Sequence, residues 1–209
     1  MIAELKTIYK DYLFTEEGRQ NIKDAIEIKK MWKAQVATTD CSVSTNGVKL
    51  ELIPKFLRDR TTCIEITPIG LNNMCHTTSD LFQKRKKNVK KIIGYNITAC
   101  PCGRLMSMEL HAVNKIDDTL YDFTRDFNDE KKKWFIAMDT ELTSLQYINL
   151  FGNDPISFTN KNCVCPIKWN NAKEFNKTND EIEKHIKDVE NTVVKETNYG
   201  YFVTKKNYK

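Results

Sequence analysis

Apolar positions recur at helical spacing through the first part of the chain. Leu5, Ile8, Tyr9, Tyr12 and Leu13 make one stripe, and Ile22, Ala25, Ile26, Ile28, Met31 and Trp32 make a second beyond Thr15-Glu16-Glu17. The pattern predicts two helices over residues 1–37, with Thr15 as N-cap of the second and Glu16 and Glu17 at the positive end of its dipole. Polar residues from Thr38 to the Asn46-Gly47 pair mark a loop. Period-two alternation then predicts strands over 48–53 and 62–67, stopped by Pro54 and Pro68. Residues 83–91 lack Gly and Pro and read as helix, continuing a segment that begins near Cys75. Strands follow over 92–98, 105–115 and 119–123, joined by turns at Pro101-Cys102-Gly103 and Asp117-Asp118. Further on, 134–138 fits helix or strand and 142–151 fits a helix stopped by Gly152. Thr178 caps a charged helix reaching about Val194, and 199–203 fits a last edge strand or a tail.

This order of elements predicts an α+β fold: N-terminal helices, then a helix starting at Cys75 packed on an antiparallel sheet. It divides the chain into an N-terminal helical segment (1–37), an α+β domain (38–176) and a C-terminal helix with a tail (177–209). At 209 residues the chain is long enough to bury a core without disulfide staples. No apolar run approaches a membrane span, and no apolar signal core follows Met1, so a cytoplasmic protein is the expectation. Much of the formal charge of +5 is concentrated in Lys84-Arg85-Lys86-Lys87 with Lys90-Lys91, in Lys131-Lys132-Lys133 and in the tail. Aromatic residues are not interleaved with these runs as base stacking requires, so they read as solvated faces and nucleic acid is not an expected partner.

Seven cysteines, an odd number, argue for thiols, metal ligands or catalysis and against a disulfide framework. Cys100-Pro101-Cys102 and Cys163-Val164-Cys165 are two pairs of like form. Brought together, their four thiolates would complete a tetrahedral structural zinc site. Reduced unligated thiols and redox-active pairs are the other readings. A zinc deaminase is excluded, because Cys63-Ile64-Glu65 has no Pro-Cys-x-x-Cys after it and Leu105 stands where the last cysteine would be. Cys63 itself reads as a small core residue.

Cys75, His111 and Asp122 are the candidates for chemistry. Cys75 falls where loop becomes helix, a place that favours thiolate and presents backbone amides to an oxyanion, and Asn73 is a further candidate donor there. His111 shares one strand face with Glu109 and Val113, and Asp122 follows on the next strand, within reach of the histidine. An aspartate on one ring nitrogen would fix the tautomer that takes the thiol proton. Asp126 is the reserve for the third position. A buried strand histidine, or metal ligation by Cys75, His76 or His111, would also account for these residues. His185, among charges, reads as exposed.

The sequence His111-Ala112-Val113 followed by Leu120-Tyr121-Asp122-Phe123-Thr124, downstream of a helix-borne cysteine, resembles the papain-like and transglutaminase-like superfamily, which includes the NlpC-type amidases. The resemblance implies Cys75 as nucleophile, His111 as base and Asp122 as orienter, in a thiol hydrolase or acyltransferase acting on a peptide or amide bond. It also implies a protein or peptide substrate and no organic cofactor. No glutamine precedes Cys75 where papain places its oxyanion donor. The rival reading is a non-catalytic, zinc-stabilised interaction module of the same fold.

Overall fold

The structure, a computed structural model, describes residues 1–39, 48–100, 105–125, 130–159, 177–197 and 200–205. Helices α1 (Ile2–Leu13) and α2 (Glu16–Thr39) form the N-terminal corner expected from the apolar stripes. The Thr15 hydroxyl accepts the Gly18 amide at 3.0 Å, satisfying one orphan donor of α2. A 3-10 turn at Leu50–Leu52 stands where a strand was expected over 48–53, and the short helix α3 (Lys55–Arg58) follows Pro54. Leu50, Ile53 and Leu57 turn to one core at helical spacing, and over so short a run that spacing and strand alternation are indistinguishable.

Five strands close into a barrel: β1 (Thr61–Gly70), β2 (Val89–Ala99), β3 (Leu105–Ile116), β4 (Thr119–Thr124) and β5 (Lys132–Ala137). Their order is β2-β5-β1-β4-β3, with β3 pairing back onto β2. A closed ring with an odd number of strands cannot be antiparallel throughout. The parallel pair is β1 with β4, in register at Ile66↔Asp122 and Gly70↔Thr124. The other four pairings are antiparallel. Helix α4 (Cys75–Arg85) links β1 to β2. Helix α5 (Ser144–Phe151) follows the barrel, and β6 (Ile156–Thr159) adds to the first half of β3. Helix α6 (Asn179–Asn191) leads into a separate hairpin, β7 (Thr192–Thr197) with β8 (Gly200–Lys205).

The expected papain-like or transglutaminase-like arrangement, a nucleophile helix on an antiparallel sheet, is thereby corrected. The segment β2-β3-β4 does run as an antiparallel meander, but β1 inserts between β4 and β5 and the sheet closes on itself. Closure abolishes the free edges of the ring, and it depends on pairings between distant segments that local alternation does not encode. The helix also ends earlier than the expected Lys91, since Val89 already belongs to β2 and is buried.

Register divides the strand residues between two faces. Val89, Ile93, Tyr95 and Ile97 of β2, Met108, Ala112 and Ile116 of β3, Phe123 of β4 and Ile136 of β5 face outward. Helices cover them, with Tyr147, Ile182, Ile186 and Val189 on one side and Leu5, Tyr9 and Phe82 on the other. A third cluster, Ile64, Val113 and Phe135, consists of strand residues alone and fills the interior. By strand alternation His111, Asp122 and Lys133 lie on that same inner face. Among the described residues, no helix is long and apolar enough to cross a membrane.

Candidate active site

The position of Cys75 follows from how α4 is anchored. Phe82 is fully buried and meets Phe123 edge-on at 5.3 Å and Tyr9 at 6.1 Å. Asn114 of β3 donates from Nδ2 to the Ser79 carbonyl at 3.1 Å. Gly70 ends β1 against the first turn of the helix, where a Cβ would come within 2.4 Å of Thr78 Oγ1. The Leu71 amide donates to the Tyr9 hydroxyl at 2.9 Å, and Asn73 turns the chain with φ of 58°, a left-handed conformation that asparagine tolerates.

Cys75 is thus the first residue of α4, 7% exposed. No side chain caps this helix at Met74, and its first ladder bond runs from the Thr78 amide to the Met74 carbonyl at 2.8 Å. The amides of Cys75, His76 and Thr77 therefore precede the ladder. By contrast, α5 and α6 both begin with complete capping boxes, at Thr143 with Gln146 and at Thr178 with Glu181.

Inside the barrel, His111 Nε2 lies 2.8 Å from Asp122 Oδ2. The same oxygen is 3.1 Å from Lys133 Nζ, while Asp122 Oδ1 accepts the Thr124 amide at 2.8 Å. Asp122 is 0% exposed and Lys133 5%. Burial alone would raise the Asp122 carboxyl, but the charges of His111 and Lys133 hold it well below the carboxylate range. Burial would likewise lower His111; the charges of Asp122 and Cys75 prevail over it and over the opposing charge of Lys133, and raise the imidazole to about 9. For Cys75, burial pushes the thiol up, and the charge and hydrogen bond of His111, with a hydrogen bond to His76, bring it well below an ordinary thiol. His76 in turn shares a hydrogen bond between Nδ1 and Ser144 Oγ, at 2.7 Å, at the start of α5. Phe135 meets the His111 ring edge-on at 6.3 Å. Gly94, in register with His111, permits this, because a Cβ there would stand 2.4 Å from the Phe135 ring.

The structure therefore brings Cys75, His111 and Asp122 into one electrostatically coupled cluster. Asn73 is instead exposed, at the turn it forms. Cys100 is buried where β2 ends, whereas Cys102, Cys163, Cys165 and the reserve Asp126 lie outside the described residues. Among the described residues no three His, Cys, Asp or Glu side chains are grouped to hold a metal ion. Cys63 is exposed on β1 and not in the core.

Two clusters escaped the reading of the sequence. Lys133, in a run of lysines that reads as solvated, points inward; in a strand, Lys133, Phe135 and Ala137 share a face, and that alternation is the signal for it. His185, which reads as exposed from its charged sequence neighbours, accompanies Ile182, Ile186 and Val189 on the buried face of α6. Its Nε2 lies 2.7 Å from the Tyr95 hydroxyl and 3.1 Å from that of Tyr147. The spacing of His185 from Ile182 and Ile186 already placed it on the apolar stripe. No family model matches the chain, and no curated protein or solved structure matches it.

Proposed function

We propose that the chain is a thiol-dependent hydrolase or acyltransferase that acts through a Cys75 thioester on a peptide or amide bond. The observation that carries this reading is the buried chain from Asp122 through His111 to a thiol at an uncapped helix N-terminus. Asp122 occupies Nε2 of His111 and so leaves Nδ1 to exchange a proton with the thiol. Cys75 Sγ attacks the carbonyl carbon as thiolate. The oxyanion forms where the amides preceding the α4 ladder point, and the helix dipole favours negative charge there. The His111 imidazolium gives its proton to the leaving amine as the thioester forms. Water or an amine acceptor then attacks the thioester, giving its proton to His111 and releasing Cys75 as thiolate.

This assignment needs no papain-like sheet. A nucleophile, base and orienter are recognised by geometry and role, and the same constellation occurs on unrelated folds. The likeness to the papain-like superfamily then lies in the order Cys75, His111, Asp122 and not in the architecture.

The test is to incubate the protein with activated esters and peptide thioesters and follow intact mass. An acyl adduct should form on Cys75 and decay with turnover. Cys75→Ala should abolish it while shifting the thermal midpoint by no more than a few degrees. An adduct that persists in Cys75→Ala, or a large loss of stability with no adduct in the wild type, would remove the nucleophile reading.

A further inference from the structure

The buried lysine beside the Asp122–His111 pair has a role that follows from counting charges, and it builds on the thiol reading above. Among the described residues, Cys75 and His76 from α4, His111 from β3, Asp122 from β4 and Lys133 from β5 act on one another here, and Lys133 has a further interaction besides these. On the same face of β3, Glu109 lies two residues before His111 and Lys115 four residues after it. The residues in register with the buried groups on β1 and β2 are Ile64, Ile66 and Gly94, none of them charged.

With Asp122 ionised and His111 protonated, those two groups alone are neutral, and a thiolate beside them would leave one uncompensated negative charge in a buried site. Such a site favours the protonated thiol. Lys133 changes the balance. Its ammonium, 3.1 Å from Asp122 Oδ2, compensates the carboxylate, so the His111 imidazolium is left in need of a counter-charge. The thiolate of Cys75 supplies it. Counting Cys75, His111, Asp122 and Lys133, the sum is one positive charge when Cys75 is a thiol and none when it is a thiolate.

We propose that Lys133 is a positioning residue that sets the pH window of the Cys75 thiolate–His111 imidazolium pair, by making Asp122 act as an electrically neutral orienter. Lys133 acts through Asp122, whose Oδ2 it shares with His111. Two proton losses bound the window: the thiol gives up its proton at the lower edge and the imidazolium at the upper. A positive charge in the cluster favours both losses, so its removal moves both edges to higher pH.

The experiment is the pH dependence of Cys75 alkylation by iodoacetamide, read by mass spectrometry of the Cys75 peptide, which requires no substrate. The wild-type profile should show two inflections. Lys133→Met should displace both to higher pH, the upper, His111 edge by about 1–3 units and the Cys75 edge, one group further from the lysine, by less. Asp122→Asn should displace both to lower pH. The double variant Asp122→Asn with Lys133→Met restores the wild-type charge and should return both inflections towards wild-type positions, as should Lys133→Arg. Either Lys133→Met or Asp122→Asn, whichever folds, fixes an order against the wild type along this charge ladder, so failure of one to fold leaves the test intact. Lys133→Met inflections at wild-type positions, or a double variant no closer to wild type than either single one, would overturn the proposal, since loss of packing alone would lower the rate without moving both edges together. A ladder obtained without any acyl adduct would reject the proposed hydrolase function and leave the role of Lys133 standing. An acyl adduct without the ladder would do the reverse.

Discussion

Two histidines of this chain sit in polar clusters with hydrogen bonds of nearly equal length, 2.8 Å for His111 to Asp122 and 2.7 Å for His185 to Tyr95, and their basicities move in opposite directions. Burial lowers both. At His111 the charges of Asp122 and Cys75 overcome it and raise the imidazole to about 9. At His185 burial and the charge of Lys177 bring it to about 4, against a smaller opposing effect of Asp188. Its hydroxyl partners cannot serve as counter-ions, because burial holds Tyr147 up at about 12 and Tyr95 higher still. The two hydroxyls hydrogen-bond each other as well. The ionisation of the partner, and not the length of the bond, decides whether a buried imidazole carries a proton. One cluster is built for charge and the other for neutral dipoles that dock α6 on the barrel.

The largest way to break the contrast is to neutralise the carboxylate. Asp122→Asn keeps the shape of the His111 partner and removes the buried carboxylate charge that lies 3.1 Å from Lys133 Nζ. Removing one member of a buried pair costs roughly 3–5 kcal/mol, and the urea midpoint of the variant should fall accordingly with an unchanged slope. A loss below about 1 kcal/mol, the range of exposed pairs, would mean that the Lys133 ammonium is compensated without Asp122 and that the pair does not hold the cluster together.

The charged cluster was partly legible beforehand because its polar members are conspicuous in sequence. Cys75, His111 and Asp122 stood at a loop-to-helix junction and on two consecutive strands, and the β3–β4 turn brings those strands together. Lys133 was not legible, since three consecutive lysines look solvated until the strand is known to close a barrel between β2 and β1. The barrel was hidden for the same reason: the parallel β1–β4 pairing joins segments more than fifty residues apart, with Ile66 opposite Asp122, and has no local signature. The 3-10 turn at Leu50–Leu52 was lost differently, to a pattern too short to separate two periods. His185 was overlooked because Glu183, Lys184 and Lys187 surround it in sequence, although its helical neighbours in space are Ile182, Ile186 and Val189.

A second test reaches His111 without altering any charge. Gly94→Ala places a methyl within 2.1 Å of the Ile136 carbonyl and 2.4 Å of the Phe135 ring, so the ring edge against His111 must give way. Overpacking of this kind costs typically about 1–3 kcal/mol. The rate of Cys75 alkylation at neutral pH should fall as well, because the His111 ring loses the contact that orients it. If stability falls and the alkylation rate is unchanged, Phe135 fills space only.

The smallest effect belongs to the neutral cluster, and it has a sign opposite to that of His111. The folded chain holds His185 at about 4, below the ordinary 6.5 of an unfolded histidine, so between those values the unfolded state binds the extra proton. The stabilisation it contributes is complete above about pH 6.5 and is lost as pH falls through about 4. For His111, raised to about 9, the corresponding contribution is present below 6.5 and lost as pH rises through 9. His185→Gln keeps a hydrogen-bonding amide beside Tyr95 and Tyr147 and removes the titration. At pH 7 it should cost about 1 kcal/mol, the usual scale of one side-chain hydrogen bond. Between pH 6.5 and 4 the thermal midpoint of the wild type should fall more steeply than that of the variant, the carboxylates common to both cancelling in the difference. Parallel curves would mean that the imidazole is solvated in the folded state, and the two histidines would then differ by exposure and not by the charge of their partners.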